Sequence, residues 1–552
     1  MKMKKYINIL LASLLILSCE DQLDEINRNA TNAELLYSTE EGYESLINSC
    51  YAHARVWYGK TEGWALTDVG TDIFTFASGS QAVPFSTYST DLQGSLPVIE
   101  FLWNALYKGV NTCNTAIGRA EEAPLDADVK NRRIGEARFL RAFYLWHIVE
   151  TWGEAPLLTE EVSSVITTAQ HTSVDDFYTQ IFEDLDIAIE KLAGTADKEN
   201  GRVTQTVAKA FKARMLLTRG MYQEASTLAK EVINTGAFSM YDSFAETFDI
   251  NNTEGSGNNE AIWWVNYSVD NNLSQRFDGQ QGLWLWEGGN HSHMMAAQVY
   301  WDFPGMWVTP DVNRPYVSSM PTLAYLDMFD ETMDERFDVT FRPVYYVNDS
   351  TKVGDTGLTL GDTAVVCTKY DVSDEIKASK AYTFVDRSDV YAADGSPIGA
   401  RNHFMSLYKF EDPLRPTGWE SESRRDAYVM RISEMYLIVA EAEMMLGNTS
   451  EAVTYMNAVR EKRAIDGMEA DMMITDADLD IDFILDERAR EFGGEQIRWF
   501  DLKRTGKLVE RVKLLNPDSE NIQDFHNVRP FPQVELDAVT NKSEFQQNPG
   551  YN

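Results

Sequence analysis

Apolar residues recur at helical spacing through most of the chain. Tyr43, Leu46, Ile47, Cys50, Tyr51 and Ala54 follow one another at steps of three and four, the stripe of a core-facing helix, behind a capping-box spacing from Ser38 to Glu41. Leu102, Trp103, Leu106, Val110, Cys113 and Ile117 repeat the pattern. Val174, Phe177, Ile181, Leu185, Ala188 and Leu192 repeat it again after an acidic first turn, Asp175 and Asp176, that suits the helix dipole. Residues 134–149 are apolar around so much of their circumference that this helix is expected to be buried on several sides. Residues 38–237 therefore read as an almost entirely helical scaffold. Helical patterns return over 432–446, 450–463, 481–492 and 499–505, and the last forty residues, with Pro517, Pro530, Pro532 and Pro549, read as an extended tail that completes a C-terminal unit, 429–552.

A repeat links the two helical regions. Ala213, Gly220, Glu224 and Ala225 recur with the same spacing as Ala440, Gly447, Glu451 and Ala452, 227 residues later. Small residues let antiparallel helices approach and a glycine makes the turn between them, the logic of a tetratricopeptide helix pair. Such pairs need stacked neighbours, so residues 238–428 are expected to leave the stack and return to it. That inserted region has Gly- and Asn-rich stretches at 251–259, 278–282 and 287–290, and short β-prone runs at 261–267 and 341–347. The predicted class is mainly α: a tetratricopeptide-like helical-pair scaffold with a large inserted loop-rich region containing short strands.

Composition alters the picture at three points. The insertion holds seven of the thirteen tryptophans, six of them between Trp263 and Trp307, where the chain average would give about one. The formal charge is −37, from 49 Lys plus Arg against 86 Asp plus Glu, which disfavours nucleic acid and anionic lipid surfaces, because polyanion binding requires Lys and Arg to replace condensed counterions. Residues 1–18 form a basic start followed by an apolar run of about eleven residues, too short to span a bilayer that needs about 20. They read as a secretion signal ending in Ile16-Leu17-Ser18-Cys19, which resembles a bacterial lipoprotein box, so Cys19 is the expected lipidation site and 19–37 an anchored linker. The acidic stretch 20–25 resembles the leader that sends lipoproteins of Bacteroidetes-type bacteria to the cell surface. Cys50, Cys113 and Cys367 remain, an odd count that cannot form a full disulfide framework and without zinc spacing.

Several segments together resemble the SusD/RagB family of surface glycan-binding lipoproteins. They are the run from Gly135 to Tyr144 with the exit at Gly153 and Pro156; Trp103, Leu106, Tyr107 and Asn111 before it; Arg431 with Glu434 to Leu437 and Ala440 to Ala442; Glu487 to Phe492 with Arg498 to Arg504; and the closing Arg529 to Pro532 and Gln546 to Tyr551. They occur in order over nearly the whole mature chain. The resemblance implies an outer-membrane lipoprotein facing the cell exterior, partnered by a SusC-like TonB-dependent transporter, that captures an oligosaccharide or polysaccharide without cofactor or catalysis. By segment only, it also carries over Trp64, Asp68, Asp72, Phe74 and Tyr88 as ligand-binding residues.

Sugars present a weakly apolar C–H face and a hydroxyl rim, which aromatic rings and neighbouring polar side chains meet. Trp284 and Trp286, alternating among glycines, are expected on one face of a surface loop, and Tyr300, Trp301 and Trp307 are the next candidates. His291 and His293 share a strand face and are assigned to sugar hydroxyls rather than to a metal. Trp263 and Trp264 read as a buried strand, and Trp103, Trp146, Trp152 and Trp499 as core. Glu487, Glu491 and Glu495 share a helical face beside Arg488 and Arg490 and read as an ion-pair network; Arg138 and Arg141 read as partners of buried carboxylates or helix carbonyls. The acidic run from Asp476 to Asp482 lacks the glycine and the closing glutamate of a calcium loop. The negative field favours a neutral glycan, with β-glucan or xylan as candidates. Two alternatives stay open: a surface glycoside hydrolase, and a tetratricopeptide scaffold that binds only protein.

Overall fold

A computed structural model describes residues 33–252, 257–268 and 288–551. Cys19, Trp284 and Trp286 lie outside the described residues.

The chain is mainly helical. Helix Glu40–Ala52 turns the predicted stripe inward, burying Tyr43, Leu46, Ile47 and Cys50. Its cap differs from expectation: Thr39, not Ser38, accepts from the Gly42 N–H at 3.1 Å, because the helix begins at Glu40, one residue later than the capping-box spacing places it. Helices Pro97–Gly118 and Ala127–Trp152 pack side by side, and the second is enclosed almost completely from Gly135 onward, which is why it shows no polar face. Arg141 forks onto Asp184 of helix Val174–Lys191 (2.8 and 2.7 Å), and Arg138 reaches the same carboxylate at 2.8 Å. The region 38–237 is less uniformly helical than its pattern predicts: residues 153–173 are irregular and Phe74–Phe76 is a strand, β1.

The two repeat copies form helix pairs Gln205–Thr218 with Tyr222–Asn234, and Ile432–Met445 with Thr449–Glu461. Gly220 and Gly447 adopt positive φ (70° and 83°) at their turns, and Ala213, Ala225, Ala440 and Ala452 are fully buried where the helices meet. The pairs stack directly on each other. Arg214 donates to both oxygens of Glu434 (2.8 and 2.6 Å), and Lys230 reaches Glu443 at 2.6 Å.

Residues between the pairs build short sheets. Strand β2, Ala261–Val265, runs antiparallel to Ala427–Arg431 and so ties the two ends of the excursion together. Strand β1 pairs antiparallel with Ser319–Pro321. Pro343, which has no N–H to give, separates strand Phe341–Arg342, paired with Ser406–Leu407, from Val344–Tyr346. The latter pairs antiparallel with Thr363–Cys367, which runs parallel to Thr383–Val385. Trp263 and Trp264 are buried in β2, and Trp103, Trp146, Trp152 and Trp499 are buried in the helical body.

Helix Ile481–Phe492 anchors the interior. Glu491 accepts from Arg431 (2.9 Å), Arg463 (3.0 and 3.1 Å) and Arg336 (3.3 Å), and Glu487 accepts from Arg336, Arg460 and Arg490 (2.8, 2.6 and 2.7 Å). Arg488 pairs instead with Asp501 at 2.7 Å. Burial alone would raise the Glu491 carboxyl, but the guanidiniums of Arg463, Arg431 and Arg336 hold it well below the usual carboxylate range. In the acidic run, Asp480 caps this helix through the Phe483 N–H (2.7 Å), and Asp482 pairs with Lys507 and Arg511 at 3.0 Å each. After helix Leu508–Leu515, which the hydrophobic pattern did not predict, the tail runs back over the body, held by Arg529 N to Thr151 O (2.7 Å) and Asn548 Nδ2 to Trp152 O (2.8 Å).

Candidate functional site

Three indoles meet at the surface of the inserted region. Trp419 is 47% exposed and Trp307 39%, and Trp301 is partly buried beside them. The Trp301 and Trp419 centroids are 5.2 Å apart with planes inclined by 55°, and Trp307 lies 6.4 Å from Trp419 at 77°. The three therefore form one continuous but angled aromatic surface. The Lys352 ammonium sits 3.8 Å from the Trp307 ring centroid. Beside Trp301, the exposed pair His403 and Asp302 meets at 3.3 Å and adds a polar edge.

Loops carry these rings, and buried side chains hold the loops. The Arg415 guanidinium donates to five carbonyls: Asp412 (2.9 Å), Gly418 (3.2 Å) and Glu420 (3.1 Å) on its own loop, and Pro310 (3.0 Å) and Val312 (2.7 Å) on the Trp307 loop. One buried cation thus fixes both tryptophan-bearing segments to each other. Gly418 lets them touch: a Cβ there would lie 2.6 Å from the carbonyl carbon and oxygen of Val308. Asn348 secures Trp307 from the other side, accepting from its N–H at 2.8 Å and donating to its carbonyl at 2.9 Å. Aromatic surface held this way loses little entropy when a ligand stacks on it.

The predicted site residues divide sharply. Trp301 and Trp307 both border Trp419. Tyr300 does not join them; it is buried and stacks on Tyr345 at 5.6 Å. His291 and His293 sit not on a strand but at a 3-10 turn, because Asn290 Oδ1 accepts from the Ser292 N–H (2.8 Å) and curls the chain. Both are buried. His293 Nε2 donates to Glu420 O at 3.3 Å and so supports the Trp419 loop from beneath, and burial with the adjacent Arg415 keeps its ring well below the ordinary histidine range.

The five residues carried over by segment are buried too. Trp64 donates to Ser319 Oγ (3.0 Å) and packs on Phe74, whose ring is 5.1 Å away. Asp72 binds Arg498 (2.6 Å) and Arg511 (2.9 Å). Asp68 accepts from the Gly494 N–H at 3.3 Å and from Thr67 at 2.9 Å, and burial pushes its carboxyl up to about 7. Tyr88 donates to Gly70 O at 2.9 Å. This segment is fastened beneath the C-terminal helices, so it builds the body rather than the aromatic surface.

Trp419 is the residue that sequence reasoning missed. It stands outside the tryptophan-dense stretch, yet Pro416-Thr417-Gly418 before it is a turn signature that places a following ring at the surface.

A sequence profile described as the SusD family matches residues 241–551, and one described as starch-binding associating with outer membrane matches residues 21–217. The chain is 25% identical to SusD-like protein P25 of Formosa agariphila over 542 residues, 94% of each chain. It is 22% identical to the starch-binding protein SusD of Bacteroides thetaiotaomicron over 454 residues, 78% of this chain and 74% of that one. Among solved structures, a laminarin-binding SusD-like protein superposes with a TM-score of 0.64 at 22% identity, over 93% of this chain and 100% of that one. A SusD homologue from Bacteroides thetaiotaomicron gives a TM-score of 0.69 at 16% identity, over 95% and 100%. Likeness to structures at these identities establishes the fold alone.

Proposed function

The chain belongs to the SusD family, and from that premise we propose that it is a non-catalytic glycan receptor of the cell surface, anchored through Cys19 and working with a SusC-like TonB-dependent transporter. The observation that carries the binding role is the exposed Trp301, Trp307 and Trp419 surface on loops clamped by Arg415. Rings stack on sugar C–H faces through apolar contact, and the exposed His403 and Asp302 pair next to Trp301 is available to meet hydroxyls. Because the indoles are inclined by 55° and 77° rather than coplanar, they suit a glycan that bends, and they disfavour a flat ribbon. The starch and laminarin named for the relatives are in keeping with that choice. The net charge of −37 adds a preference for neutral chains over uronate polymers.

Affinity electrophoresis through starch, laminarin, xylan and polygalacturonate tests the reading. Retardation by starch or laminarin, weakened by Trp419→Ala and accompanied by no release of reducing ends, is the expected result. Migration unaffected by every polysaccharide would overturn glycan capture, and turnover lost on a single carboxylate change would make the protein a hydrolase.

A further inference from the structure

A second cavity lies between the segment that follows β1 and the C-terminal tail, built from elements that contribute nothing to the tryptophan surface. Its volume is about 380 Å³, within the range of small-ligand sites, roughly 300–1,000 Å³. Four rings form its wall. Tyr88 and His526 lie 4.9 Å apart, Phe525 is 4.0 Å from His526, and Tyr551 meets Phe525 edge-on at 5.0 Å. The phenol hydroxyls are already used, Tyr88 donating to Gly70 O (2.9 Å) and Tyr551 to Val528 O (2.7 Å), and both residues are almost wholly buried, so the half-buried Phe525 is the more open of the apolar rings.

The polar complement comes from amides. Gln93 donates through Nε2 to Thr90 O (2.6 Å) and Asn521 through Nδ2 to Thr87 O (3.0 Å), which directs both nitrogens to the backbone and leaves both carbonyl oxygens as acceptors. The Gln523 N–H donates to His526 Nδ1 at 2.9 Å. Burial lowers the His526 ring to about 4, so it is neutral near pH 7, and with Nδ1 accepting, its proton resides on Nε2 as a donor. Tyr88 holds φ at 49°, the left-handed cap that ends helix Val83–Thr87 and turns the chain toward the cavity-lining residues 89–93.

In a chain of net charge −37, the lining of this cavity includes no Asp, Glu, Lys or Arg. A metal ion would need carboxylates there, and an anionic ligand would need a cation. Apolar ring surface edged by amide acceptors and one imidazole donor matches a neutral polyhydroxyl ring. We propose that the cavity walled by Tyr88, Phe525, His526 and Tyr551 and edged by Gln93 and Asn521 is a second carbohydrate site, one that takes a terminal neutral sugar unit rather than the length of a chain. It stands whether or not the tryptophan surface binds glycan.

The test uses the full chain with maltohexaose and laminarihexaose as probes and hexagalacturonate as the charged control. Calorimetric titration is expected to give two binding events with at least one neutral probe. Gln93→Ala with Asn521→Ala should weaken one event tenfold or more and leave the other unchanged. Trp307→Ala with Trp419→Ala should do the reverse, which separates failure of this site from failure of the tryptophan surface. Hydrogen–deuterium exchange should show protection of residues 88–93 and 521–526 by the neutral probe and none by hexagalacturonate. The proposal is overturned if those segments exchange at the same rate with and without both neutral probes, or if the Gln93 and Asn521 double variant titrates as the parent does.

Discussion

Trp307 and Trp419 each leave a third to a half of a large ring in water, and the two lie side by side, 6.4 Å apart. If the surface receives sugar, truncating either ring removes stacking area at the centre of the contact. Trp419→Ala is expected to cost about 2 kcal/mol or more of binding energy, roughly a thirtyfold loss of affinity by calorimetry, with little change in thermal stability. Asp68 makes the opposite kind of prediction, one of stability without binding. Its buried carboxyl is raised to about 7 from an ordinary value near 3.8, so the native state holds the proton more tightly than the unfolded chain does. The resulting stabilisation is complete below the ordinary carboxylate range and is lost as pH rises through about 7. Asp68→Asn keeps an oxygen for the Gly494 N–H and cannot ionise. The variant should therefore flatten the fall in denaturant midpoint between pH 4 and 8; an unchanged slope would rule out Asp68 as its source.

Two elements carry more consequence than their size suggests. The loop ending in Trp419 is fixed by Arg415 and by the close approach at Gly418, and neither contact involves an indole. Gly418→Ala must push the loop off Val308, so glycan affinity should drop at least tenfold even though all three tryptophans remain; a crystal structure of the variant would show the Trp301–Trp419 pair separated. Helix 481–492 makes its contribution inside. Glu491→Gln leaves the guanidiniums of Arg431, Arg463 and Arg336 short of a counter-charge in the interior, where breaking such a set costs about 3–5 kcal/mol, readable as a lowered urea midpoint. Because these arginines hold the Glu491 carboxyl low despite its burial, that stabilisation is present above the ordinary glutamate range and is lost on acidification below it. Sequence periodicity revealed this helix and its ionic character, because the i, i+4 spacing survives in one dimension. It did not reveal that the main partners come from Arg431, Arg463 and Arg336, which only the tertiary fold brings in.

For the molecule as a whole, the helical scaffold was legible and much of the binding surface was not. Stripes such as Tyr43 to Cys50 and the glycine-turned repeat encode their neighbours locally. Exposure of a ring depends instead on what the rest of the chain stacks over it, which is why Trp64 and Phe74 went to the interior while Trp419, unremarked in sequence, came to the surface. The overall field has its own signature. A charge of −37 repels polyanions but does little to a neutral chain, so affinity for starch or laminarin should be independent of salt between about 20 and 500 mM, whereas any residual interaction with polygalacturonate should strengthen as screening rises.

The stacking of helices 205–234 on helices 432–461 also sets the order in which the protein is completed. Arg214 cannot find Glu434, nor Ser226 find Glu443, until more than two hundred further residues have been made and delivered. Until then the first pair presents an uncovered apolar flank to the solution, a long-range closure of the sort that slows folding and invites aggregation. A chain interrupted anywhere in the excursion would carry that flank permanently, so stop codons placed between 240 and 430 should yield insoluble or degraded product rather than a shortened receptor.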